Sequence, residues 1–178
     1  LGVHLNKPII LMIDEFGKAN PAVKNALLRV IQERMIGSYT LHPDSIVFAT
    51  TNKGSEGVGD LLQSHARNRV AVVQTRKPSQ EEWIDWGINN KVDATILGWA
   101  KDNPQLFHSF EDVKNPDDNP YIFHPNQQRT AFVTPRSLES ASDWVKLRDT
   151  MDDTTLTGLL MGTIGERGAM DLMAFVKL

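Results

Sequence analysis

Cysteine is absent from all 178 residues, which removes disulfides, thiolate metal sites and cysteine nucleophiles together. Long apolar runs are absent too. Nothing reaches membrane-spanning length, and the N-terminus lacks the basic-then-apolar pattern of a signal peptide, so a cytoplasmic location follows by elimination and no membrane partner is expected. Charge of one sign is not in excess: a net charge of -3 and a pI near 5.9 leave no electrostatic footprint for sequence-independent nucleic-acid binding. The five histidines (His4, His42, His65, His108 and His124) have no metal-ligand spacing. Gly54, Gly57 and Gly59 are not followed by the Gly-Lys-Ser/Thr that would make them a phosphate loop, so they read as a flexible loop.

What is present suffices for one good-sized globular domain or two small ones, with 40% hydrophobic and 23% charged residues. The stretch Ile9-Ile10-Leu11-Met12-Ile13 has too many consecutive aliphatic residues for a half-exposed strand. It reads as a parallel strand buried on both faces, delivering Asp14 and Glu15 to the sheet's carboxyl edge, where open α/β sheets bind ligands. Asn20-Pro21 then starts a sheet-covering helix, with Val23, Leu27, Val30 and Ile31 on one face and Lys24, Arg29, Glu33 and Arg34 away from it. Gly37-Ser38 makes a turn, and Ser45 to Thr50 is a second buried-type strand ending in Thr51-Asn52. The order strand, helix, strand is a βαβ unit.

Beyond it, residues 53–60 read as loop, 61–68 as a short helix, and Val70 to Val73 as a third apolar strand. From there the sequence turns helical. Ser79 with Glu82 is a capping box, helices follow from Val92 to Lys101 and from Thr134-Pro135 to Arg148, and Thr154 to Leu178 gives two short helices broken near Gly162 to Gly165. Trp83, Trp86, Trp99 and Trp144 sit at helical positions and read as core. The Asn-, Asp- and Pro-rich stretch from Glu111 to Thr134 is long enough to be either a functional loop or a mobile one.

Adjacent carboxylates at the end of a buried strand suit a metal-nucleotide hydrolase, since one can order magnesium while the next polarises water. As a short pattern it also fits the solvated start of a loop. Asn52 ends the neighbouring strand, where an amide can hold water and a phosphate oxygen without adding negative charge. Arg136 lies in the first turn of a helix, where the macrodipole disfavours a cation, which suggests a compensating anion; the bland alternative is a surface pair with Glu139. Arg67 and Arg69 are either a solvated helix end or an arginine finger.

Pro8 to Glu15, Lys18 to Arg34, Phe48 to Asn52 and Thr134 to Ser137, taken in that order, resemble the AAA+ ATPases and, within them, the MoxR-like branch. The resemblance covers nearly the whole chain and is strongest over residues 8–52. It implies an α/β fold class: part of an AAA+ P-loop NTPase core, a parallel sheet with flanking helices over residues 1–77, followed by a mainly helical lid over 78–178. It implies that Asp14 contacts Mg2+, Glu15 is the catalytic base, Asn52 is sensor 1 and Arg136 is sensor 2, contacting ATP. Arg69 matches the finger that acts in trans, with Arg67 in reserve, although the family usually has an aspartate and an aromatic where this chain has Asn68 and Val70. A ring of copies, as a hexamer, and chaperone-like remodelling of a protein partner follow from the same resemblance.

The family's phosphate-binding loop is missing from these residues. The chain opens at Leu1 and reaches its first strand at once, which reads as a piece of a longer protein, inactive by itself. Two rivals stand beside the ATPase: a non-hydrolysing scaffold or oligomerisation module derived from the same fold, and a DNA-associated motor, for which no basic loop is found.

Overall fold

In the computed structural model, which describes residues 7–52, 70–111 and 113–177, the chain divides into two compact units, Leu1–Gln74 and Thr75–Leu178. The first is mixed α/β. Strand β1 (Ile10–Ile13) pairs in parallel with β4 (Ile46–Ala49), in the register Ile10↔Ile46 through Ile13↔Ala49. Between them lie α1 (Pro21–Glu33) and a small hairpin of β2 (Met35–Ile36) and β3 (Tyr39–Thr40), which turns at Gly37 with φ 63°. Helix α1 begins as its sequence requires, with Asn20 Oδ1 accepting the Val23 N–H at 2.9 Å and Pro21 in the first turn.

Around the buried Phe16 pack Ile13 of β1, Leu27, Leu28 and Ile31 of α1, and Val70. Among the described residues nothing covers the opposite sheet face. Ile10 and Met12, with their register partners Ile46 and Phe48, are exposed, Ile10 at 73%. The expectation of a strand buried on both faces is therefore corrected: among the described residues the sheet has two strands, and one layer covers one side of it.

Three further readings change. Val70 to Val73 forms no strand, because the run is paired to neither described edge; Val70 packs on Phe16 while Val73 is 83% exposed. Arg34 is not on a solvated helix face. It caps α1 in the left-handed conformation, φ 56°, and its guanidinium donates to the carbonyls of Pro43 and Ser45, tying the helix end to the entry of β4. Val23, assigned to the covering face of α1, is exposed. Residues 53–69 lie outside the described residues, and with them the expected loop, short helix, Arg67 and Arg69.

The second unit is helical: α2 (Gln80–Asn89), α3 (Ala94–Asp102), α4 (Pro135–Lys146) and α5 (Asp153–Val176). Its core joins Ile96 and Trp99 of α3, Leu138 and Val145 of α4, and Leu160, Ile164 and Leu172 of α5, all buried. The capping box at Ser79 and Glu82 forms as read, and the break in the last helical stretch falls at Gly165, φ 81°. Trp83 and Trp99 are core residues, whereas Trp86 is 39% exposed.

Candidate functional site

The parallel pairing of β1 with β4 sends both strands out at the same edge, and the ladder continues beyond them. Thr50 N–H donates to the Ile13 carbonyl and Phe16 N–H to the Thr50 carbonyl, each at 2.9 Å. Asp14 and Glu15 are thereby held beside Thr50. The Thr50 hydroxyl donates to Asp14 Oδ1, and the Glu15 N–H lies within 3.1 Å of that same carboxylate oxygen and 3.3 Å of Thr50 Oγ1.

At Glu15 the chain leaves the strand abruptly, with φ 50° and ψ 39°, the left-handed region that non-glycine residues seldom occupy. The 3₁₀ turn Phe16–Lys18 follows, anchored by the buried Phe16 ring. The turn brings Lys18 back over the acid, its Nζ 2.6 Å from Glu15 Oε1. Asp14, Glu15 and Asn52 are all exposed at this edge.

The sequence points to Asp14, Glu15 and Asn52, and the fold adds Thr50 and Lys18. Their signals were present: a hydroxyl ends the strand beside the acids, and a lysine follows Glu15 at the spacing of one tight turn. Arg136 belongs to the second unit, in the first turn of α4 after the N-cap Thr134. Among the described residues its guanidinium has no hydrogen-bond or ion-pair partner, Glu139 included, so the bland pairing is not formed. The described residues contain no group of three His, Cys, Asp or Glu side chains able to hold a metal by themselves.

Compared with known proteins, the chain is matched by no family model and by no solved structure. It is 30% identical over 104 residues to an "ATP-dependent protease ATP-binding subunit-like protein" of Rhodococcus erythropolis. That match covers 51% of this chain and 30% of the relative, so the chain spans less than a third of the relative's length. Among the described residues, no helix is long and apolar enough to cross a membrane.

Proposed function

We propose that this chain carries the hydrolytic and sensing half of an ATP site of the AAA+ type, MoxR-like branch, in a protein that remodels a protein partner. The observation that carries the reading is the β1–β4 register, which sets Asp14, Glu15 and the Thr50 hydroxyl at one sheet edge in direct hydrogen-bond contact. The similarity to a protein named as an ATP-binding subunit supports nucleotide as the ligand. The hard oxygen set of Asp14, Glu15 and Thr50 suits Mg2+, which takes one or two carboxylates and completes its shell with water and phosphate. Asp14 is the contact for that ion, which when bound offsets charge on the phosphate oxygens.

Glu15 is the base. Its free carboxylate oxygen accepts a proton from water as that water's oxygen bonds to the γ-phosphorus and the bond from phosphorus to the ADP oxygen breaks. Lys18, holding Oε1 at 2.6 Å, fixes the carboxylate's direction. Asn52 orients the water, and Arg136 couples nucleotide state to the helical lid. Arg69, with Arg67 in reserve, completes the site of a neighbouring copy in a ring. ATP hydrolysis then requires a phosphate-binding loop joined to these residues.

The test is Glu15→Gln in a protein that supplies such a loop. ATP binding persists while turnover falls by about a hundredfold or more, the usual share of a general base. Turnover equal to wild type sinks the assignment.

A further inference from the structure

The second unit holds a cavity of about 550 Å3, walled by residues between Gln105 and Tyr121 and by Arg167 of α5. That is the size of a pocket for a small ligand or the last residues of a peptide. Its cations differ in how they are held. Arg167 donates from Nε to Asp171 Oδ2 at 3.1 Å, and the buried Tyr121 hydroxyl donates to the same carboxylate oxygen. A guanidinium has five N–H donors; one is committed to Asp171 and another faces the Tyr121 oxygen, which leaves the rest of the fork for a ligand. Asp171, one turn along the same helix from Arg167, holds the guanidinium by its Nε–H. Lys114 and the His108 imidazole, on the same wall, have no side-chain partner among the described residues.

The charge balance selects among anions. Asp118 also lines the cavity, held by Asn115 Nδ2 at 3.2 Å, and it opposes a phosphate dianion more than a single carboxylate. A guanidinium fork matches a carboxylate bidentately. Of the remaining amide lining, Asn115 is engaged by Asp118 and the Asp117 N–H, Asn119 by the Gln105 carbonyl and the Tyr121 N–H, and Gln105 Nε2 by Asn103, which leaves Gln105 Oε1 to accept a peptide N–H. Val113 and Pro120 add apolar surface for a side chain.

We propose that this cavity captures the carboxylate at the end of a peptide chain, with Arg167 and Lys114 as its cationic contacts and Asp171 as the positioning residue for the Arg167 fork. The site is independent of the nucleotide reading and places recognition of a protein partner in the helical unit.

The experiment is an NMR titration of the 178-residue chain with acetyl-Ala-Leu as the free acid, the same peptide as its C-terminal amide, acetate, and inorganic phosphate. The free acid shifts the Arg167 Nε–H and the Tyr121 and Asn119 amide resonances saturably. The amide binds about tenfold more weakly or worse, and acetate moves the same resonances at higher concentration. Arg167→Gln and Lys114→Gln each weaken the free acid by about tenfold. Both side chains are exposed, so an otherwise unchanged spectrum shows the fold intact. Equal affinity for acid and amide, phosphate binding more tightly than the peptide acid, acetate matching the peptide, or no saturable shift at millimolar peptide each overturn the proposal.

Discussion

At Glu82 three donors converge on one carboxylate. Arg76 reaches its two oxygens at 2.6 and 2.5 Å, and the Ser79 N–H donates at 2.9 Å while the Ser79 hydroxyl accepts from Glu82 N–H. The Arg76 hydrogen bonds, then the Ser79 N–H, hold the Glu82 carboxyl down to about 2 from an ordinary 4.5. Because the folded value is depressed, the stabilisation is complete above 4.5 and is lost as pH falls through about 2. We expect wild type to melt above Glu82→Gln at neutral pH and the gap to close across that acid window; a gap independent of pH contradicts the linkage. The pairing of Ser79 with Glu82 was legible, since the capping box is a fixed local spacing. The Arg76 grip was not, because it depends on how the polar segment ahead of the helix folds back. Asp14 and Glu15 divide in the same way: their place at a strand end is local, whereas the contacts to Thr50 come from a strand more than thirty residues on.

The helices were the most legible elements: Asn20, Ser79 and Thr134 read as starts and their side chains accept from the first turn, whereas Asp93 and Asp152 cap helices that the sequence begins only at about Val92 and Thr154. The β2–β3 hairpin escaped because strands of two residues carry no periodicity. The run Val70 to Val73 had the composition of a strand, but composition cannot supply the partner edge. In α5 the sequence located the break only to the span from Gly162 to Gly165, and packing selects between the two. A Cβ on Gly165 would lie 2.6 Å from the Ala131 carbonyl oxygen, with φ at 81°, whereas one on Gly162 meets nothing within 4 Å. Gly165→Ala should therefore destabilise the protein by about 1–3 kcal/mol, and Gly162→Ala should stabilise it by up to about 1 kcal/mol. Urea unfolding of the two variants checks the sign, and the same sign for both would refute the account of the kink.

Across the molecule, burial is unevenly shared. The helical unit joins eighteen buried residues in one cluster, while in the described part of the α/β unit the cluster around Phe16 has that one buried member and otherwise partly buried ones. Hydrogen exchange should follow that division, with the amides of α3, α4 and the second half of α5 protected by at least about tenfold more than those of β1 and β4. Equal protection in both units would show that the sheet has cover beyond the residues described. The face of Ile10, Met12, Ile46 and Phe48, uncovered among the described residues, explains why a sequence pattern typical of two-sided burial coexists with exposed strands: the pattern records the environment the strands are suited to. The left-handed backbone at Glu15 carries a related consequence. Glycine adopts that conformation freely, and an acidic side chain there forgoes about 1 kcal/mol. Stability alone would therefore favour glycine at position 15, and under the proposed role of Glu15 as base, fold quality and chemistry compete at that position.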